Sequence, residues 1–190
     1  SNSAGLFSGS SPLYDAVRVG ISAYGVAPAE AAWGDDLLPV MSLRTRIVFL
    51  KDLPAGSTVG YDGTFELDDQ RRIATLPVGY NDGVPWRLSN RGEVLVRGHR
   101  APIVGRVSMD YTTIDVTDIP GVEVDDMVTL IGSDGDQQIL LREVAAAAET
   151  IPYEVACSIG KRVARLFRAR TKSHAAAIRP EPQATPVPTE

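Results

Sequence analysis

The feature that most constrains the fold is a series of short apolar runs, each ended by turn-forming residues, between residues 42 and 132. The first run alternates with the period of two that is typical of β-strands. Its predicted faces are Leu43, Thr45, Ile47 and Phe49 against Arg44, Arg46, Val48 and Leu50. The pattern predicts a mainly β fold, an antiparallel domain built as a partly open barrel or sandwich. The runs are "SLRTRIVFL" (42–50), "RIATLPV" (72–78), "EVLVRG" (93–98), "APIVGRVSM" (101–109), "YTTIDVTD" (111–118) and "DMVTLIG" (126–132).

Other patterns flank this β region. The run "AVRVGISAYG" (16–25) is β-branched and ends in glycines, which predicts a buried strand leading into a loop. The segment "LREVAAAAET" (141–150) is rich in strong helix formers and predicts a helix. A further short helix and a closing strand, "RVARLF" (162–167), are expected after it. From Arg168 the chain is rich in Arg, Thr, Ala and Pro, which predicts a disordered tail over 168–190.

Composition and charge exclude several functions. A net charge of −5 argues against a general nucleic-acid binder, because phosphate affinity is built from surplus Lys and Arg. The single cysteine, Cys157, excludes an internal disulfide and a cysteine-based zinc site. No run of 18 apolar residues occurs, so we expect no membrane contact and a cytoplasmic location. His99 and His174 lie in polar contexts, and we predict that neither is a metal ligand or a base.

Seven strings in order resemble the carboxy-terminal half of the PLP-dependent alanine racemases. The resemblance covers the chain to about Phe167 and implies three parts: residues 1–40, the last segment of a (β/α)8 barrel; residues 41–167, a carboxy-terminal β domain; and the tail. The strings are "NSAG" (2–5), "VRVGISAYG" (17–25), "VGYDGTF" (59–65), "PVGYNDG" (77–83), "LSNRGEVLVRG" (88–98), "APIVGRVSMD" (101–110) and "TIPYEV" (150–155).

The resemblance implies a site for pyridoxal 5'-phosphate. Ser3, Gly20, Ile21 and Tyr153 match the residues that hold the cofactor phosphate in that family. Arg18 matches the arginine that faces the pyridine nitrogen, where a guanidinium, which stays protonated in proteins, donates a hydrogen bond without giving up its proton. The residues alone leave other roles open: a solvated loop for Ser3, a strand-end turn for Gly20 and Ile21, a surface arginine and a half-buried tyrosine.

The resemblance also implies a catalytic tyrosine and a substrate site. Tyr61 in "VGYDGTF" matches the tyrosine that acts as one of two acid/base groups in a site shared across a homodimer; from the residues alone it is equally a packed hairpin aromatic. The family has glycine where this chain has Asp62, and we expect this carboxylate to point away from the phenol. Tyr80, Met109 (through its backbone amide) and Arg106 match residues that meet or guide the substrate. Asp110 is expected to order its loop or to line the substrate corridor.

The second acid/base group of the family is a cofactor-bearing lysine near the start of the barrel. Lys51, Lys161 and Lys172 all lie outside such a context. We therefore expect the chain to be inactive alone and to need an amino-terminal barrel half that carries the Schiff-base lysine, either as a separate chain or as a missing part. The resemblance implies interconversion of L- and D-alanine, a peptidoglycan precursor. A racemase of serine or of broad specificity, and a non-catalytic dimerisation or binding domain, remain alternatives.

Overall fold

The computed structural model describes residues 1–8, 14–28 and 37–168, and ten strands and three α-helices lie within them. The helices are α1 (Ser3–Ser8), α2 (Leu141–Ala147) and α3 (Pro152–Ser158). The strands are β1 (Leu43–Arg46), β2 (Phe49–Leu53), β3 (Thr58–Val59), β4 (Phe65–Glu66), β5 (Arg71–Leu76), β6 (Glu93–Val96), β7 (His99–Pro102), β8 (Thr112–Asp115), β9 (Met127–Asp134) and β10 (Gln137–Ile139).

All strand pairs are antiparallel and form three open sheets. The largest has the order β1-β9-β6-β7 with β10 also on β9; the second is β2-β5-β8, and β3 with β4 makes a separate hairpin. The prediction of a mainly β, antiparallel domain with a few helices is confirmed, and the described sheets stay open rather than closing into a barrel. The assignment of residues 1–40 to a barrel, and the domain boundaries, stay predictions.

The core lies between the two larger sheets and the helices. Strand β6 contributes three consecutive fully buried side chains, Val94, Leu95 and Val96, because it lies inside its sheet and is covered on both faces. Helix α2 buries Leu141, Val144 and Ala145 in the same core, at a spacing of three and four residues. A smaller cluster, made of Val59, Leu67, Ile73 and Val104, lies at the β3–β4 hairpin and holds the hairpin against the domain.

The run 42–50, which was predicted as a single strand, forms the two strands β1 and β2. The Ile47 amide donates to the Asp126 carbonyl at 3.0 Å, whereas the Val48 amide donates to the Thr75 carbonyl at 2.9 Å. The chain thus passes from one sheet to the other between these residues. Phe49 is exposed although it was predicted on the face of buried Ile47, because this change of sheet ends the alternation.

Three other predicted strands differ from the structure. Residues 16–20 are exposed and form no strand; the Arg18 amide donates to the Ser1 carbonyl at 2.7 Å, and the Gly20 carbonyl accepts from the Ala23 amide at 3.0 Å within a turn. Residues 162–167 form no strand either, because the Arg165 guanidinium bonds the Ile159, Gly160 and Val163 carbonyls and holds this segment in a turn. The run 101–109 leaves its sheet after Pro102, and a left-handed Gly105 follows.

The two predicted helices are confirmed at 141–147 and 152–158, where Pro152 occupies the first turn of α3. Within the described ranges, no helix has the length and apolar character needed to cross a bilayer. The predicted tail lies outside the described residues except for Arg168, and so do Lys172 and His174.

A matched pair of valines tests the position of the core. Val96→Ala removes two methyl groups from a fully buried site, so we expect a loss of about 2 kcal/mol in unfolding free energy from transfer and cavity terms. Val124→Ala removes the same atoms from an exposed loop and should cost less than about 0.5 kcal/mol. Urea denaturation of both variants measures the difference, and equal losses would contradict this core.

Candidate active site

Tyr61 lies on the tip of the β3–β4 hairpin. Val59 pairs with Phe65 across the hairpin, and a short 3-10 turn over Tyr61–Gly63 joins the strands. Asp62 has a left-handed backbone (φ 61°), which an aspartate tolerates better than a branched residue. Because Val59 is buried while Tyr61 is 71 % exposed, the hairpin is anchored at its base and presents the phenol outward. The reading of Tyr61 as a packed hairpin aromatic does not fit this exposure.

The tip is fixed by a close backbone contact with residues 105–106. A Cβ on Gly60 would lie 2.7 Å from the Arg106 amide nitrogen, closer than real Cβ atoms approach, and Gly60 also has a left-handed φ of 78°. Only glycine satisfies both conditions. The residue before Tyr61 is therefore pressed directly against the residue that was predicted to guide the substrate.

Asn90, which the sequence reading gave no role, joins the same two segments. Its side-chain amide donates to the Thr64 carbonyl and hydroxyl oxygens, both at 3.3 Å, and its Oδ1 accepts from the Gly105 amide at 2.5 Å. The neighbouring Ser89 hydroxyl accepts from the Val107 amide at 2.9 Å. The only signal for Asn90 in the sequence is its place in the string "LSN" of the resemblance. Its hydrogen bonds could not be predicted, because their partners lie 15 and 26 residues away.

Arg106 is held between a carboxylate and an aromatic ring. Its Nε lies 3.1 Å from the Asp62 Oδ2, and its guanidinium lies over the Trp86 ring, 5.3 Å from the centroid. The Asp62 carboxylate is exposed, so the ion pair contributes little stability, but it orients the arginine beside the Tyr61 turn. The stack on Trp86 restricts the guanidinium further.

Tyr80 and Met109 lie on two loops that are bonded through their backbones. The Tyr80 amide donates to the Ser108 carbonyl at 3.0 Å, and the Asn81 amide donates to the Met109 carbonyl at 3.2 Å. A Cβ on Gly79 would lie 2.5 Å from the Met109 carbonyl oxygen, so glycine permits this approach. Both side chains are exposed, and the Met109 amide takes part in none of the hydrogen bonds within the described ranges. This N–H is thus free to meet an anionic group.

A buried carboxylate supports these two loops. Asp82 is only 6 % exposed; its Oδ2 accepts from the Gly79 amide at 2.9 Å, and the Arg162 guanidinium donates to both carboxylate oxygens, at 2.5 and 3.0 Å. The same guanidinium donates to Asp110 at 2.6 Å. The hydrogen bond from Arg162, aided by that from Gly79, lowers the pKa of Asp82 against the opposing effect of burial. The predicted closing strand that contains Arg162 is wrong: the residue lies in a turn and pairs with Asp82 and Asp110.

Three of the four residues predicted to hold a phosphate, Ser3, Gly20 and Ile21, form a separate group near the start of the chain. The buried Ser3 hydroxyl accepts from the Gly20 amide at 3.0 Å, and Gly20 precedes a 3-10 turn, Ile21–Tyr24, whose first side chain is buried. The Ser22 hydroxyl in this turn is buried and has no hydrogen-bond partner within the described ranges. Arg18 is exposed and lies two residues before Gly20 in the chain.

Tyr153 lies apart from this group in the hydrogen-bond pattern. It is the second residue of α3, is about half exposed, and makes no hydrogen bond to Ser3, Gly20 or Ile21 among the described residues. The structure thus places Tyr61 next to Arg106 through the backbone contact of Gly60. Backbone hydrogen bonds hold the Tyr80 loop against the Met109 loop, and a hydrogen bond links Ser3 to Gly20. All site roles stay predictions.

Fold and geometry together define an antiparallel β domain that presents exposed side chains on turns anchored by backbone contacts. The chain belongs to the alanine racemase family: the family profile described as "Alanine racemase, C-terminal domain" matches residues 40–167. Alanine racemases of Halothermothrix orenii and Syntrophobacter fumaroxidans are 48 % and 50 % identical over 169 and 161 residues. These matches cover 88 % and 84 % of this chain but 45 % and 43 % of the relatives.

Solved structures agree with the family assignment. Alanine racemase from E. faecalis superimposes with a TM-score of 0.79 at 37 % identity, covering 86 % of this chain and 44 % of that one. Alanine racemase from Bartonella henselae, solved with covalently bound pyridoxal phosphate, gives 0.79 at 37 % identity, covering 88 % and 46 %. The chain therefore spans less than half the length of these relatives.

The Asp82–Arg162 pair predicts a pH-dependent contribution to stability. Because the folded pKa of Asp82 lies below the unfolded value of about 3.9, this contribution is complete above about pH 5 and is lost as pH falls through the folded pKa. Asp82→Asn should lower the thermal midpoint at pH 7, and the gap to the unmodified protein should close on acidification. Scanning calorimetry from pH 7 to pH 3 measures it. Asp69→Asn, in an exposed turn, is the control and should show no gap. A gap for Asp82→Asn that does not narrow at all between pH 5 and pH 3 would contradict the pairing.

Proposed function

We propose that this chain is the carboxy-terminal portion of a PLP-dependent alanine racemase, which interconverts L- and D-alanine by two-base proton transfer at Cα. The observation that carries the proposal is Tyr61: an exposed phenol on a turn fixed by glycine packing, in a domain of the alanine racemase family. A rigid turn suits a proton-transfer group, which must stay within hydrogen-bond reach of one atom of the substrate.

The proposed chemistry divides between two groups on opposite faces of the substrate. Bound pyridoxal phosphate supplies the electron withdrawal that makes the Cα proton acidic. Tyr61 exchanges that proton on one face, and a lysine of the amino-terminal half serves the other face. Because a free phenol titrates near about 10, Tyr61 needs help from the completed site to act as a base at neutral pH.

Tyr80, Met109 and Arg106 are proposed to receive the small amino-acid substrate. The free Met109 amide suits the substrate carboxylate, since a fixed backbone N–H donates without changing charge. Arg106, oriented by Asp62 and Trp86, adds positive charge beside the Tyr61 turn and favours the approach of anionic groups.

Ser3, Gly20 and Ile21 are proposed to hold the cofactor phosphate together with Tyr153, and Arg18 to face the pyridine nitrogen. The residues fit this group in one respect: a buried Ser22 hydroxyl that has no partner in the described part of the chain accompanies the Ser3–Gly20 hydrogen bond, and a dianion accepts several such donors. Buried polar groups normally find a partner, and a bound phosphate meets this need.

An amino-terminal barrel half carrying the Schiff-base lysine is the proposed partner, within a cytoplasmic homodimer that makes D-alanine for peptidoglycan. Supporting it, Val17, Val19 and Tyr24 expose apolar surface in the segment predicted to belong to the barrel. Several exposed apolar side chains within one short segment favour a contact with another protein surface. The matched region covers less than half of each relative, so the remainder of those proteins is long enough to contain such a half.

Hydrogen exchange at Cα tests the role of Tyr61. In the assembly with the amino-terminal half, Tyr61→Phe should slow racemisation at least about 100-fold in both directions, because the two enantiomers have equal free energy. Deuterium from D2O should still enter Cα of one enantiomer without inversion, through the remaining lysine. NMR of recovered L- and D-alanine measures both effects.

Tyr14→Phe is the matched control, because it removes the same hydroxyl from a highly exposed tyrosine outside the proposed site. It should leave racemisation unchanged. Racemisation that survives Tyr61→Phe, or exchange lost equally from both enantiomers, would contradict the assignment of Tyr61.

Reconstitution tests the proposed partner. The chain alone should neither racemise alanine nor develop a pyridoxal absorption band, and both should appear when the amino-terminal half is added with pyridoxal phosphate. Activity of the chain alone contradicts the need for a partner. A reconstituted assembly that lacks all racemase activity favours a binding domain, and faster turnover of serine than of alanine changes the substrate.

A further inference from the structure

We infer that Arg162 is a positioning residue for the substrate: by pairing with Asp82 and Asp110 it holds Tyr80 beside the free backbone amide of Met109. The inference rests on the proposed function, since it assigns a task to residues proposed to meet the substrate. It concerns a guanidinium on the segment after α3, outside the seven strings that carry the resemblance.

The first support is the hydrogen-bonding capacity of one guanidinium. The Arg162 NH2 nitrogen donates to the Asp82 Oδ2 at 3.0 Å and to the Asp110 Oδ1 at 2.6 Å, while Nε donates to the Asp82 Oδ1 at 2.5 Å. Asp82 lies two residues after Tyr80, and Asp110 follows Met109 directly. One planar fork therefore bridges the two loops that present the substrate residues.

The second support is the burial of Asp82. Its carboxylate also accepts from the Gly79 amide, so the charge of this buried group is compensated by Arg162 and by the residue next to Tyr80. Without Arg162 the carboxylate would be left buried and uncompensated, which is costly, and the turn would rearrange toward water. Such a rearrangement moves Tyr80, because Tyr80 lies between Gly79 and Asp82.

The third support is the anchoring of Arg162 itself. The Gly160 amide donates to the Asp82 carbonyl at 3.0 Å, and a Cβ on Gly83 would lie 2.8 Å from the Ser158 carbonyl oxygen, so the two backbones are in close contact. These contacts hold the segment after α3 against the Tyr80 loop independently of the Arg162 ion pairs. Arg162 thus starts from a fixed backbone and extends the junction to the Met109 loop.

A purely structural role is separable from positioning. Asp110 is about half exposed, and its removal leaves the buried Asp82–Arg162 pair in place, so Asp110→Asn should change stability very little. It nevertheless removes the charge that attracts Arg162 and so weakens the link between Arg162 and the Met109 loop. A positioning role therefore predicts a kinetic effect of Asp110→Asn that is not accompanied by a loss of stability.

The test uses the complete assembly with the amino-terminal half and the variants Arg162→Gln, Arg162→Lys and Asp110→Asn. Arg162→Gln should raise KM for alanine by roughly tenfold with a smaller change in kcat, as expected when a binding contact is displaced. Asp110→Asn should raise KM by roughly threefold with a thermal midpoint within about 2 °C of the unmodified protein. The KM of Arg162→Lys should lie between those of the unmodified protein and Arg162→Gln, because a point charge reaches only one carboxylate at a time.

Amide hydrogen exchange gives a readout that does not need activity. Peptides covering residues 79–83 and 106–111 should exchange faster in Arg162→Gln, because the Tyr80 and Asn81 amides bridge these segments. Arg97→Gln is the control; it removes an arginine that also pairs with an aspartate, Asp126, but contacts neither loop. It should leave KM and the exchange of both segments unchanged.

The outcomes separate this inference from the proposed function. An unmodified assembly that does not racemise alanine contradicts the proposed function. Normal racemisation with an unchanged KM in Arg162→Gln contradicts the positioning role alone, as does unchanged exchange in both segments. A KM raised as much by Arg97→Gln as by Arg162→Gln also overturns it, because the effect would then follow from loss of charge anywhere on the domain.

Discussion

The arrangement of the site depends on close backbone packing around one segment, residues 105–109. Gly60 presses against the Arg106 amide on one side, and Gly79 presses against the Met109 carbonyl on the other. No side chain fits at either contact, so two turns from distant parts of the chain meet the same segment without intervening atoms. Tyr61 and Tyr80 each follow one of these glycines, and their positions are therefore set by backbone geometry rather than by their own packing.

The charged groups refine positions that the backbone contacts have already established. Asp62 and Arg106 pair at an exposed place, where an ion pair orients a side chain but adds little free energy. Asp82 and Arg162 pair where one partner is buried, and there the loss of either charge is costly. The first pair is thus suited to orient a group near the substrate, and the second is suited to keep two loops together.

The described site residues make few contacts with one another across the two ends of the chain. Tyr61, Tyr80 and Met109 are all exposed, and the Ser3–Gly20 group has no hydrogen bond to them. This separation agrees with a site that is completed by other parts of the proposed enzyme. Exposed groups on rigid turns are useful there, because they lose little conformational freedom when substrate and partner arrive.

The sequence by itself determined the elements that depend on local pattern: the antiparallel β character, helices α2 and α3, the turn that carries Tyr61, and the family. It failed where a partner distant in the chain decides. Residues 16–20 and 162–167 have strand-like composition but pair with none of the ten described strands. The run 42–50 divides because the Ile47 and Val48 amides donate to different sheets. Only the tertiary structure could assign Asn90 and Arg162, because their hydrogen bonds span 15 to 80 residues and periodicity carries no information about such distances.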